Sequence, residues 1–314
     1  MLTRRHIRIK VMQSVYSFYL TSQKELKEEL LFFEQSVNQF YNLYLLILGL
    51  FKALKNKTEE QIKAYSVHNI KIDKNYNALN ALSQNTILKF ISSHKELELT
   101  LKNKKFLRWD LEPVFLNDLL SEIFKWDEFE NYISLGSFSE KVDQNWFIKC
   151  FKEILTCSKY LFSYLEDHQL TWIDDLPVVN TFILKMLRKI DHKKPQSLKL
   201  PNQKNDKEVI DFGMDLLKKT ISNNEQILED LRGKTPNWDS ERIALLDQAI
   251  LKIAITELLH FPSIPTKVTI NEYLEIAKDY STPNSNNFVN GVLDELVREF
   301  TKNKRFTKKG RGLL

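Results

Sequence analysis

The stretch that decides the fold is Glu241-Arg242-Ile243-Ala244-Leu245-Leu246-Asp247-Gln248-Ala249-Ile250-Leu251-Lys252-Ile253-Ala254-Ile255-Thr256-Glu257-Leu258-Leu259. Its density of Leu, Ile and Ala, free of Gly and Pro, predicts a helix over about 239–259. Pro262 and Pro265 separate it from a second helix near 267–280, and Pro283 marks the first turn of a third near 284–303. Upstream, Ile7, Val11, Val15 and Phe18 recur at helical spacing, with Thr3 as N-cap of a helix from Arg4 to about Leu20. Further helices are expected over 26–55, 58–69, 75–105, 116–124, 143–166, 175–191 and 207–231, the last ending near Gly233 as a C-terminal cap. Pro195 and Pro201 among polar residues make 193–206 a loop or linker. No segment alternates as a strand would, so the predicted class is all-α.

Composition agrees. The chain has 314 residues, 43% of them hydrophobic, with only 7 glycines and 8 prolines. That is enough apolar surface for a sizeable core and few breaks between helices. The longest apolar run, Leu43 to Phe51, is too short to span a bilayer, and no signal-peptide core follows the basic start. A cytoplasmic protein without membrane association is expected. Cys150 and Cys157 are seven apart, which on one helix places both on one face, in a core rather than in a disulfide.

The net charge of +5 is uneven. Residues 1–10 carry +4 from Arg4, Arg5, Arg8 and Lys10, residues 301–314 carry +6, and the other 290 residues carry −5. Two basic ends on a mildly acidic body suit a polyanion, or keep the protein soluble. Catalysis has little to work with. The glycines form no phosphate-cradling loop, and the six histidines have no metal-ligand spacing with each other or with the cysteines. No cofactor is expected.

Three blocks then carry a resemblance: the stretch quoted above, Ile264-Pro265-Thr266-Lys267-Val268-Thr269-Ile270-Asn271-Glu272, and Asn287-Phe288-Val289-Asn290-Gly291-Val292-Leu293-Asp294. In order and spacing they resemble the NusB family of bacterial transcription antitermination proteins, with its "DRAILRLAxxELL", "P-x-K-V-x-INEA-x-E-LAK" and "KFVNGVLD" segments. The resemblance covers 1–23 and roughly 207–300, and leaves 24–206 as a folded helical insertion and 301–314 as a basic tail. It implies a non-catalytic protein that binds boxA-like single-stranded RNA in ribosomal RNA leaders or spacers. A NusE-like ribosomal protein would bind with it, and the assembly would act on the RNA polymerase elongation complex indirectly.

The candidate site starts from a physical oddity. A helix N-terminus carries partial positive charge, yet Arg4, Arg5 and Arg8 crowd it, with Lys10 one turn on. A phosphate ligand would neutralise them, and the resemblance aligns them with the family's arginine-rich first helix. Tyr16 matches the family's "QALY" segment, as core or beside the RNA face. Asn284, Ser285, Asn286 and Asn287 supply hydroxyl and amide groups at another helix start; the asparagines at 286 and 287 replace basic residues usual there. Asp247 and Glu257 are the expected partner-binding acids, although Glu257, like Glu272, could instead bridge helices. Two rivals stand beside this reading: a helical protein-interaction scaffold without RNA affinity, and the RNA-recognition module of a ribosomal RNA methyltransferase. The second needs a following cofactor-binding domain with a glycine-rich loop and a nucleophilic cysteine.

Overall fold

The computed structural model describes residues 2–21, 25–67, 73–104, 108–135, 139–234, 244–305 and 308–309. Among them are fifteen α-helices, four short 3-10 turns and no strand, as the composition predicts. No described helix is long and apolar enough to cross a membrane. The chain divides into two compact units, one of Met1–Val37 with Gln203–Leu314, the other of Asn38–Asn202.

The first unit holds α1 (Arg4–Leu20), the start of α2 (Leu26–Val67), and α11 (Lys207–Ser222), α12 (Asn224–Leu231), α13 (Leu245–His260), α14 (Thr266–Tyr280) and α15 (Ser285–Lys302). The helices between, α3 to α10, belong to the second unit. At the centre of the first unit is α13, where Ile250, Leu251, Ile253, Ala254, Ile255 and Leu258 are all fully buried. A helix apolar on every side must be wrapped by others, and α1, α11, α14 and α15 pack on it. From α1, Ile7, Val11 and Val15 enter this core, while Phe18 is only half-buried. Val289, Leu293, Leu296 and Phe300 line the inner stripe of α15. Close approach of α11 requires Gly213: a Cβ there would lie 2.5 Å from Ile7 Cγ2 and 2.6 Å from Phe33 Cζ.

Thr3 caps α1 by accepting from the His6 amide at 3.2 Å. Gly233 follows α12 at φ +78°, the left-handed conformation that ends helices without cost only at glycine. The start of the predicted 239–259 helix lies outside the described residues up to Ile243, and α13 is observed from Leu245. Pro283 precedes α15, which begins at Ser285, so it is not in the first turn.

The second unit contains the rest of α2 and α3 (Lys74–Gln84), α4 (Thr86–Ser92), α5 (Lys95–Asn103), α6 (Pro113–Lys125), α7 (Asp127–Ser134), α8 (Glu140–Glu153), α9 (Lys159–His168) and α10 (Thr171–Leu187). It has its own core, in which Phe51 meets Phe147 and Phe151 edge-on at 5.0 and 5.6 Å. The indole N–H groups of Trp109 and Trp172 donate to the Leu46 and Gln39 carbonyls.

Four helix expectations change. α2 runs unbroken through residues 55–58, because that polar stretch contains neither Gly nor Pro, and the Thr58 hydroxyl bonds back to the Lys55 carbonyl. The predicted 75–105 helix is three helices. The Asn85 side chain accepts from the Ile87 and Leu88 amides and starts α4, and His94 Nδ1 accepts from Leu97 and starts α5. The predicted 143–166 helix breaks after Glu153, with Ser158 capping α9. The predicted 207–231 helix breaks at Asn223. Cys150 is buried as expected, but Cys157 falls in the turn after α8 and is exposed.

Candidate nucleic-acid interface

The expectation that the arginines of α1 stand uncompensated is overturned. The Arg4 guanidinium reaches Glu208 of α11 at 3.0 Å, with both groups in solvent. Arg5 forks onto Glu272 of α14, Nε to Oε2 at 3.0 Å and Nη2 to Oε1 at 3.2 Å, and this carboxylate raises its pKa. Arg8 is buried at 3% exposure and forks onto Glu257 of α13 at 2.8 and 2.8 Å. Burial works against its charge, but the hydrogen bonds to Glu257 outweigh it and the pKa rises. A longer contact at 3.5 Å ties Arg8 to Glu272 as well. The helix pole is therefore neutralised from within the protein.

The Glu257 carboxylate is fully buried and takes four donors: the two from Arg8, the Thr269 hydroxyl at 2.8 Å and the Tyr273 hydroxyl at 3.0 Å. Burial, with Glu257 alongside, pushes the Tyr273 phenol well above its ordinary range. A buried charge is tolerable only when paired and hydrogen-bonded, and this arrangement fixes α1 to α13 and α14. Glu257 is therefore unavailable to a protein partner, and Arg8 to a phosphate. Lys10 is likewise buried, at 1% exposure.

Asp247 is also inward-facing. It is 5% exposed and accepts from the Ser281 and Ser285 hydroxyls at 2.6 and 2.7 Å. Ser285, buried at the first residue of α15, further accepts from the Thr282 amide at 3.2 Å. This network pins the α14–α15 turn to the head of α13, so neither Asp247 nor Ser285 forms an external face. Asn286 is half-buried and donates to the Leu274 carbonyl at 3.0 Å, while Asn284 and Asn287 are exposed. Tyr16 is half-buried near the end of α1. Of the expected RNA-facing set, the side chains left in solvent are Arg4, Arg5, Asn284 and Asn287.

The basic segment after residue 300 is partly spent on structure. α15 continues to Lys302. Arg305 pairs with Asp230, whose carboxylate raises its pKa. The Lys308 ammonium donates to the Leu258 carbonyl at 3.1 Å and lies 3.5 Å from that of Phe261, at the C-terminal pole of α13. Residues 310–314 lie outside the described residues.

Comparison with known proteins assigns the first unit's helices. The NusB family model matches residues 179–298. The chain carries a NusB family domain. The match starts inside α10, earlier than the 207 expected from the motifs, and does not include 1–23. Transcription antitermination protein NusB of Salinibacter ruber is 42% identical over 104 residues, 33% of this chain and 65% of the relative. The proteins of that name in Chloroherpeton thalassium and Natranaerobius thermophilus are 39% identical over 104 residues and 38% over 87. Those matches cover 33% and 28% of this chain, and 49% and 63% of the relatives. The chain thus spans less than two thirds of each of these relatives' length, and most of its own residues lie outside the matches.

Proposed function

We propose that this chain is a non-catalytic transcription antitermination factor of the cytoplasm, binding boxA-like single-stranded RNA together with a NusE-like ribosomal protein. Through that assembly it would act on the RNA polymerase elongation complex. The observation that carries the reading is the NusB family match over 179–298. In this reading residues 1–23 and 207–300 form the RNA-binding domain, 24–206 are a helical insertion and 301–314 a basic tail.

Within that domain, Arg4 and Arg5 are the phosphate contacts. Their heads are 44% and 45% exposed, at the first turn of α1. Exposed ion pairs contribute about 0–1 kcal/mol, so a phosphate can take the place of Glu208 or Glu272 at small cost. Asn284 and Asn287 add hydrogen bonds. Contacts of this kind position RNA without specifying sequence, which leaves preference to the partner.

The carboxylate matching of all three arginines favours one second reading, a helical protein-interaction scaffold without RNA affinity. A titration of boxA-like RNA over a range of salt, with and without the NusE-like protein, separates the two. The RNA reading expects Arg4→Ala/Arg5→Ala to weaken binding and flatten the salt dependence by about one logarithmic unit per lost phosphate contact. Absence of RNA binding at low salt with the partner present would establish the scaffold reading instead.

A further inference from the structure

Lys252 is the one cation in the buried run Ile250–Ile255, and it is 6% exposed. Its ammonium lies 3.3 Å from the centre of the Tyr19 ring. Among the described residues no carboxylate pairs with it. The Tyr19 hydroxyl is buried and has no hydrogen-bond partner there either. Both groups line a cavity of about 20 Å³, walled by Tyr16, Tyr19 and Leu20 of α1 and by Leu245, Gln248, Ala249 and Lys252 of α13. Leu245, Gln248, Ala249 and Lys252 fall at helical spacing, so one face of α13 forms the wall from its first turn inward.

That first turn adds to the same polarity. α13 is 16 residues long, and its N-cap, Ala244, has no side chain to satisfy the leading amides. The one acid of the turn, Asp247, is held by Ser281 and Ser285 and is not part of the cavity wall. A helix pole, a buried ammonium and a phenolic O–H donor therefore converge with no negative charge among them. The aromatic face satisfies part of the ammonium. Burial lowers the Lys252 pKa to about 8, so at neutral pH most molecules still carry the charge.

We infer that this cavity is a binding site for a single halide-sized anion, held between the Lys252 ammonium, the Tyr19 hydroxyl and the head of α13. Its size selects the guest: about 20 Å³ accommodates one water-sized particle, which admits chloride or bromide and excludes a phosphate group. Water would fill the space but leave the cation unmatched. The guest joins α1 to α13 at the end of α1 remote from Arg4 and Arg5, and the site does not depend on the RNA reading.

Bromide and chloride test it on the full chain. In crystals soaked with bromide, an anomalous peak is expected in contact with Lys252 Nζ. In solution, replacing gluconate by chloride at constant ionic strength should raise the ratio of folded to unfolded protein in proportion to 1 + [Cl⁻]/Kd. Tenfold more chloride above saturation then gives about a tenfold rise. Lys252→Met should abolish the response and Tyr19→Phe should weaken it. A cavity without an anomalous peak, or a chloride response equal in wild type and Lys252→Met, would overturn the proposal. The wild-type crystal decides the matter even if Lys252→Met folds poorly.

Discussion

Replacing Arg8 with methionine isolates what the buried pair between α1 and α13 contributes. The substitution keeps most of the side-chain volume and removes the guanidinium. Glu257, fully buried, then keeps only the Thr269 and Tyr273 hydroxyls, and loses both 2.8 Å charge-assisted bonds. Breaking a buried pair from one side costs roughly 3–5 kcal/mol, because an uncompensated charge stays behind. Against a typical total of about 5–15 kcal/mol, that is a large loss. Arg5→Ala is the control: its pair with Glu272 is exposed and should cost about 0–1 kcal/mol. The double variant Arg8→Met/Glu257→Leu should recover part of the loss but not all, since two buried hydroxyls then lack their acceptor. Urea denaturation followed by far-UV circular dichroism and by tryptophan fluorescence measures this. Trp109, Trp126, Trp146 and Trp172 all lie in the second unit. Arg8→Met should therefore bring part of the dichroism change to lower urea, with little change in fluorescence there. If Arg8→Met proved no more costly than Arg5→Ala, the claim that this ion pair holds α1 in place would be wrong.

Four further outcomes follow from the same geometry. Glu272→Gln releases Arg5 from its carboxylate, so under the RNA reading it should raise RNA affinity several-fold at low salt in the titration described above. Ser285→Ala removes a donor from buried Asp247 and should cost about 1–3 kcal/mol in urea denaturation. Lys308→Ala uncovers the C-terminal carbonyls of α13 and should lower stability by about 0.3–2 kcal/mol. Lys252 titrates near 8 in the folded chain against 10.5 unfolded, so between those values the unfolded chain binds more protons. Stability should then rise with pH over that window, by up to roughly 3 kcal/mol relative to Lys252→Met in chloride-free buffer, with the full deficit below about pH 8.

The fold was legible because its signals are local. Periodicity placed α1, α11, α14 and α15, Thr3 and Gly233 mark their ends by chemistry that acts within a few residues, and scarcity of Gly and Pro excluded strands. The misplaced boundaries share one cause. Asn85, His94 and Ser158 each start a new helix by accepting from an amide two or three residues on, and inside a Leu-rich stretch such a residue reads as one more polar position on a helix face. The reverse error at 55–58 came from treating polarity as a break, when only Gly, Pro or a competing cap ends a helix. Cys157 lost its expected burial for the same reason, since face arithmetic fails once α8 stops at Glu153.

The site was less legible because electrostatic compensation is a property of the folded chain. Cations crowding the N-terminal pole of α1 imply a nearby negative charge, but not where it comes from. The sequence view supplied a ligand; the structure supplies Glu208, Glu257 and Glu272, which lie 204, 249 and 267 residues away from Arg4, Arg8 and Arg5. Asp247 and Glu257 were misjudged likewise: acids on matched helices read as exposed until the hydroxyls of Ser281, Ser285, Thr269 and Tyr273 appear around them. Lys252 is the opposite case. A single cation inside Ile250–Ile255 was visible in the sequence as a charge on an otherwise buried helix, and a charge there must find a counter-charge or distort its own titration. The argument that failed for Arg4, Arg5 and Arg8 applies to Lys252, because among the described residues it is the protonated α13 side chain for which the fold supplies an aromatic face and no acid.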